Sequence, residues 1–292
     1  MKGAGYGDER LTARALSESG VVRGLAELER GGASPYDALN QAWSTDEGAF
    51  REVRLGEGGF TVVHLVETDR GDEIPRYGLV DEERKIHLNE APREALLRLP
   101  GVDEGVVAAL MDWRDQDDVP EPGGAEAGYY QSLPQPYACK NGPLETVEEL
   151  RLVRGVTPEI LEAVRPYVTV YGDGKVNLNT APGPVLLTLG LEEALVSKVL
   201  RFRRGFDGQE GGRDDGVFEK VSGVKDALAD FEGLSPEEAA ALDRVLAGCT
   251  VQSRHFRVEA MGKTERGAVR KVTAVARREE GGQARILFWH EE

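Results

Sequence analysis

The sequence is poor in cysteine and contains no long apolar run. Cys139 and Cys249 are far apart in the chain, which excludes zinc sites built on paired cysteines and a disulfide-dense scaffold, and leaves open one bridge or none. No stretch approaches 18 consecutive apolar residues, and residues 1–7 lack the apolar segment of a signal peptide. From these absences, we expect a soluble chain.

Positive charge is also scarce. The 292 residues include 36 Lys and Arg against 52 Asp and Glu, giving a net charge of −16, which makes nucleic acid an unfavourable partner. The four histidines are not spaced like metal ligands, and no Gly-x-Ser-x-Gly motif is present. Gly262-Lys263-Thr264 resembles the end of a phosphate-binding loop but lies in a strand pattern. No established enzyme signature is therefore supported.

The two ends of the chain carry the patterns of an α+β fold. Apolar residues at three- and four-residue steps predict an amphipathic helix from Asp8 to about Arg30. β-branched and aromatic runs predict strands at 51–55, 60–66, 256–260, 269–277 and 285–289. The simplest organisation is one unit built from both ends, with a mostly helical domain inserted in the middle.

The middle of the chain contains an internal repeat. Residues 85–99 read KIHLNEAPREALLRL and residues 175–189 read KVNLNTAPGPVLLTL. Each copy predicts a short strand leading into a helical hairpin, so the related segments are 85–118 and 175–208. Between them, residues 167–178 predict an antiparallel hairpin that turns at Asp173-Gly174.

Such helical hairpins also occur in modules that bind DNA phosphates through exposed backbone amides. Those modules usually need a second glycine two residues after the first glycine of the turn. Here the corresponding residues are Asp103, Thr157 and Glu192, and carboxylates at these places repel phosphate. We therefore expect the hairpins to be packing units.

Carboxylates are concentrated in two loops rich in glycine. The candidate ligands in the first loop are Asp112, Asp115, Asp117, Asp118 and Glu126, and those in the second are Asp207, Asp214 and Asp215. Neither loop fits an EF-hand, because the glycine and the final glutamate are out of place. Such clusters are either solvated or relieved by a bound cation, and the residues alone leave both open.

In their order along the chain, these motifs resemble the K-type minor pseudopilins of type II secretion systems. The likeness rests on the segments KIHLNEAPREALLRLPGV, DWRDQDD followed by GAEAGYY, PYVTVYGDGKVNLNTAP and the closing FWHEE, together with the spacing from Leu144 to Ile160. It covers residues 9–292. The hairpin motif alone is weaker, because DNA-binding proteins share it.

The resemblance implies a pilin-like α+β fold, in which an N-terminal helix packs on an antiparallel sheet and a large helical domain is inserted between strands. The implied domains are 1–84, 85–249 and 250–292. The helix is expected to provide both a face against the sheet and a face towards partner subunits, through Leu11, Ala15, Val22 and Leu25.

The implied function is assembly without catalysis. Members stand at the tip of the periplasmic pseudopilus with the I-type and J-type minor pseudopilins, initiating or capping the pilus, and bind calcium in the helical domain. The resemblance thus implies calcium ions at the two acidic clusters. Family members carry a prepilin-peptidase site and an apolar membrane helix of about 20 residues, which this chain does not include. We expect a periplasmic soluble domain whose only membrane contact is through that absent N-terminal helix.

Two other functions are weighed against this one. A DNA-binding or DNA-uptake protein built on helix-hairpin-helix repeats requires a basic stripe, which a chain of net charge −16 does not offer. A metal-dependent hydrolase using the aspartate clusters requires an open-sided metal site in a cleft, and no spacing of histidines indicates one.

Overall fold

The computed structural model describes residues 4–32, 34–67 and 72–292. The chain forms two compact units. The first comprises Met1–Glu82, Arg201–Val224 and Val251–Glu292, and the second comprises Glu83–Leu200 and Lys225–Thr250. The sequence predicted one continuous insert over 85–249, whereas Arg201–Val224, which includes the second acidic loop, clusters with the first unit.

The first unit is a long helix packed on an antiparallel sheet. Helix α1 spans Ala4–Gly31, followed by the short helices α2 (Ala42–Thr45) and α3 (Glu47–Phe50). The strands are β1 (Val53–Leu55), β2 (Gly58–Glu67), β3 (Glu73–Tyr77), β4 (Val80–Asp81), β9 (His255–Thr264), β10 (Val269–Arg278) and β11 (Ala284–Glu291). Their order is β1-β2-β9-β10-β11, with β3 paired to β2 and β4 to β9. None of the helices in the described ranges is both long enough and apolar enough to span a lipid bilayer.

Helix α1 approaches the sheet closely because small residues lie between them. A Cβ at Gly20 would lie 2.9 Å from the Cβ of Ala260, and one at Gly262 would lie 2.1 Å from the carbonyl oxygen of Ala13. The core beneath the helix contains Val21 and Leu28 together with Phe60, Val62, Phe256, Val258, Val272 and Ala274. The α+β class predicted from the sequence is confirmed in this unit, and burial of these side chains supplies its main stabilisation.

The second unit is mostly helical, and its elements follow one topology twice, although the last residues of α9 and the first of α10 belong to the first unit. The first copy runs from β5 (Ile86–His87) through α4 (Arg93–Leu96), α5 (Glu104–Arg114), α6 (Ala127–Gln131) and α7 (Pro158–Val164) to β6 (Val168–Thr169). The second runs from β7 (Val176–Asn177) through α8 (Gly183–Thr188), α9 (Glu193–Arg203), α10 (Val224–Glu232) and α11 (Pro236–Val245) to β8 (Cys249–Thr250). In each copy the first and last strands form a parallel pair.

The predicted hairpin at 167–178 is wrong. Asp173 and Gly174 do form a turn, since the Lys175 amide donates to the Asp173 carboxylate over 3.2 Å and Gly174 has a φ of 86°. The strands on either side, however, pair with β5 and β8, not with each other. Each repeat is thus closed by a strand from its own far end. Both cysteines are free, which settles the question left open by the sequence.

Candidate functional site

The first acidic loop follows α5. Residues of α5 and of the position just before it determine where this helix begins and which of its sides is buried. The Asp103 side chain accepts from the Val106 amide over 2.9 Å and caps the helix, while Val107 and Leu110 bury its apolar face. In the last turn, Asp112 is 0% exposed. A carboxylate is therefore buried at the point where the helix ends and the loop begins.

The loop returns over Asp112 because Gly124 has no side chain. A Cβ at Gly124 would lie 2.0 Å from Oδ2 of Asp112. The Glu121 amide donates to Asp112 Oδ1 over 3.0 Å, and the Arg154 guanidinium donates to the Gly124 carbonyl oxygen over 2.7 Å. These contacts bring Glu126, two residues after Gly124, to the same place as Asp112.

Three carboxylates converge there. Asp112, Asp115 and Glu126 each offer one oxygen, and these atoms all lie within 4.8 Å of one another. Asp112 Oδ2 and both carboxylate oxygens of Glu126 are buried and have no hydrogen-bond partner. Buried carboxylate oxygens without a donor are rare in folded proteins, because a group removed from water normally keeps a hydrogen bond or binds a cation.

The protonation of Glu126 reflects this confinement. Burial, and then the negative charges of Asp112 and Asp115, raise the pKa of Glu126 to about 7. Burial also raises the pKa of Asp115, partly offset by the hydrogen bond that it accepts from the Asp117 amide. The three carboxylates therefore repel one another strongly at neutral pH.

The residues of this group fit a calcium ion. Calcium–oxygen distances of about 2.3–2.6 Å put two ligands of one ion at most about 5 Å apart, as these oxygens are. A ligand set made only of carboxylates suits calcium better than zinc. Asp112, Asp115 and Glu126 can hold the ion, which would supply the positive charge that the buried oxygens lack.

Asp117 and Asp118 lie outside the group of three. Asp117 Oδ1 accepts from the Val119 amide over 2.8 Å, and Asp118 Oδ1 accepts from the Asn141 side chain over 3.0 Å. These hydrogen bonds hold the loop, and a ligand role for either carboxylate stays a prediction. Sequence reasoning missed Gly124 and Arg154, which fix the loop, and the spacing alone contains no signal for either.

The carboxylates of the second loop are turned towards its own backbone. Asp214 Oδ2 accepts from the Phe206 and Asp207 amides over 2.7 and 3.2 Å, and these hydrogen bonds lower the pKa of Asp214. Asp215 accepts from the Gly211 and Gly212 amides over 2.7 and 3.1 Å. In the described part of the chain, only Asp112, Asp115 and Glu126 bring one oxygen from each of three carboxylates within 4.8 Å of one another.

The two repeats carry opposite charges at equivalent positions. Helices α5 and α9 have the same length, so Asp112 corresponds to Arg201 and Asp115 to Arg204. The neighbouring Arg203 is almost fully buried and pairs with Glu210 of the second loop. The place of a carboxylate group in the first repeat is thus taken by guanidinium groups in the second.

Most of the α1 residues predicted to contact partner subunits lie on the side of the helix that faces away from the sheet. Leu11 is 64% exposed, Val22 is 65% exposed, and Ala15 between them is also exposed. Leu25 instead packs partly against the core. Leu11, Ala15 and Val22 therefore do not form the face against the sheet, and their contact with partner subunits stays a prediction. The sheet-facing side of α1 is formed by Ala13, Leu16, Ser17, Gly20, Val21, Gly24 and Leu28.

Residues 78–173, which contain the first acidic loop, match the family model described as type II secretion system (T2SS), protein K. This segment, about a third of the chain, is similar to the type II secretion system protein K family. Several relatives carry the name type II secretion system protein K, and two of them show the range of the match. The one from Pectobacterium carotovorum is 33% identical over 100 residues, or 32% of this chain and 30% of that protein. The one from Pseudomonas aeruginosa is 28% identical over 207 residues, or 67% of this chain and 60% of that protein. The chain thus matches less than two thirds of the length of either protein K relative.

The likeness of fold to a protein K structure extends over the whole chain. A chain of the crystal structure of the GspK-GspI-GspJ complex from enterotoxigenic Escherichia coli matches with a TM-score of 0.74. The match covers 98% of both chains at 18% sequence identity. At this identity the comparison establishes the K-type fold.

Proposed function

We propose that the chain is the periplasmic domain of a K-type minor pseudopilin that assembles with I-type and J-type subunits at the tip of the type II secretion pseudopilus. The observation that carries the proposal is the fold match over 98% of the chain to a structure of the GspK-GspI-GspJ complex. The family match over residues 78–173 supports it independently from sequence.

The proposed mechanism is assembly through contacts, without a catalysed reaction. Helix α1 uses its small residues to lie on its own sheet and presents Leu11, Ala15 and Val22 outwards for the helix of a neighbouring subunit. The helical unit takes up space that a further subunit would need. A pilin-like unit that carries such an insert can initiate or cap a helical assembly.

Calcium is proposed as a structural clamp in the helical unit. The buried, unpartnered oxygens of Asp112 and Glu126 support an ion held there with Asp115. The ion would join the end of α5 to the returning loop by neutralising their mutual repulsion. A second calcium ion at Asp207, Asp214 and Asp215 is a separate proposal. It differs from the first because those carboxylates already accept backbone hydrogen bonds.

The assembly is tested by mixing the chain with the soluble I-type and J-type domains from the same organism. Light scattering should report a ternary complex, and Leu11→Ser with Val22→Ser should weaken it. The matched control is Leu152→Ser, since Leu152 is 41% exposed but belongs to the helical unit. A wild-type chain that forms no complex would contradict the proposal.

A further inference from the structure

Strand β11 carries a second apolar surface beside α1. Within four residues of this strand, Ile286 and Leu287 are each 42% exposed and Trp289 is 37% exposed. Apolar side chains exposed together in this way are typical of interaction surfaces. No strand in the described part of the chain pairs with the outer edge of β11. This surface is not used by the core or by the carboxylate site.

Two of these side chains point to the side of the sheet on which α1 lies. Trp289 is paired with Ala274 and Ile286 with Ala276, and both alanines are fully buried on that side. Residues paired across neighbouring strands project from the same face of the sheet. Ile286 and Trp289 therefore stand next to the helix, not on the opposite face.

Polar contacts hold β11 alongside α1. Near one end the Arg14 guanidinium lies 2.9 Å from a Glu291 carboxylate oxygen, and near the other the Ala284 amide donates to Glu29 over 3.0 Å. The indole N–H of Trp289 donates to the same Glu291 oxygen over 2.8 Å. The exposed indole ring is thus fixed in orientation before any partner arrives, which lowers the entropy lost on binding.

We propose that an amphipathic helix of a partner pseudopilin docks in the groove between the outward side of α1 and the side chains of Ile286 and Trp289. The inference rests on the proposed function and extends the partner face from α1 to β11. A stable interface buries about 800 Å² on each partner, more than the narrow stripe of Leu11, Ala15 and Val22 offers. Trp289 adds the residue type most enriched among binding hot spots.

The strand geometry favours a helix over an added strand. The pairing of β10 with β11 contains an irregularity between Val275 and Ala276, where Leu287 is the extra residue. Such bulges interrupt the regular ladder and discourage edge-to-edge pairing. A strand added at this edge would also leave Leu11 and Val22 uncovered, whereas a helix lying beside α1 contacts both surfaces.

The test compares three forms of the full chain in complexes with soluble I-type and J-type domains. Ile286→Ser with Trp289→Ser should weaken the complex about thirtyfold, the scale of a lost hot spot. Met261→Ser is the matched control, because Met261 is 39% exposed on the opposite face of the same sheet. Because Met261 lies outside the proposed groove, the Met261→Ser variant should bind within about twofold of wild type.

A second readout uses the unaltered sequence labelled with 5-fluorotryptophan. Trp43 and Trp113 are 1% and 2% exposed, so the fluorine signal of Trp289 alone should shift when the complex forms. The docking groove would be overturned if the double variant bound as tightly as wild type, or if the Met261→Ser control weakened the complex equally. It would also be overturned if the Trp289 signal did not shift in a formed complex. Each of these outcomes would leave the proposed function standing. Protection of β11 amides from exchange without a Trp289 shift would identify strand addition, which also overturns the docking groove. A wild-type chain that forms no complex overturns both proposals.

Discussion

Replacing Glu126 with glutamine should have opposite effects on stability with and without calcium. Glu126 is 5% exposed, and its pKa rises from 4.5 to about 7 in the folded chain. A carboxyl group with a raised pKa does not destabilise the folded state below pH 4.5; its destabilising effect grows as the pH rises from 4.5 to about 7 and is complete above that. Well above pH 7, the penalty without metal is on the order of 3 kcal/mol.

Glu126→Gln removes this penalty, because the amide is close to isosteric and uncharged. In EGTA at pH 8, we expect the variant to melt several degrees above wild type. With calcium at about a hundredfold excess over the dissociation constant, wild type should gain about 2.7 kcal/mol of folding free energy. The variant lacks a charged ligand and should gain little, so the order of the two melting temperatures should approach equality or reverse.

Differential scanning calorimetry at pH 8, with calcium or with EGTA, measures both effects. The control is Glu145→Gln, whose carboxylate is 84% exposed and should leave the calcium-dependent shift unchanged. Below pH 7, protons compete for Glu126, so the apparent affinity for calcium should fall roughly tenfold per pH unit. Equal destabilisation by Glu126→Gln in both buffers would refute the reasoning, since it would mean that the carboxylate is neither repelled nor a ligand.

Three further outcomes are expected. Gly262→Val should destabilise the first unit by about 1–3 kcal/mol in urea unfolding, because its side chain would clash with the Ala13 carbonyl oxygen; an unchanged midpoint would contradict the close approach of α1. Arg278→Met should lower stability by about 3–5 kcal/mol by leaving Asp37 buried without its 2.6 Å ion pair, and Asp37→Asn in the same chain should recover part of the loss in a double-mutant cycle. Fluorescence anisotropy at about 50 mM salt should detect no micromolar binding to duplex DNA, and binding there would revive the helix-hairpin-helix alternative.

The elements of the first unit were predictable because their patterns are local. The strand runs at both ends of the sequence and the helix from Asp8 correspond to observed elements. It was harder to predict which side of α1 faces the sheet, because that side consists partly of the small residues Ala13, Ser17, Gly20 and Gly24. Large apolar residues normally mark the buried face of a helix, but here Leu11 and Val22 lie outwards.

Long-range pairing explains the other differences. β6 and β7 are close in sequence and separated by a turn, yet their partners are β5 and β8, more than 70 residues away along the chain for each pair. Sequence spacing favours the nearer partner and gives no indication of the distant one. The sequence placed Asp112, Asp115 and Glu126 among eight candidate ligands, but their convergence depends on the loop that returns at Gly124.

The duplicated topology of the helical region has an evolutionary consequence. If a single strand-and-helix module was copied, the two copies afterwards acquired opposite charges, with Asp112 and Asp115 in one and Arg201 and Arg204 in the other. An arginine is a cation that the chain carries with it, whereas aspartates that need the proposed calcium ion would make folding depend on the ionic composition of the compartment. Homologues with arginine at both pairs of positions should therefore fold independently of calcium, and those with aspartate at both should need two ions.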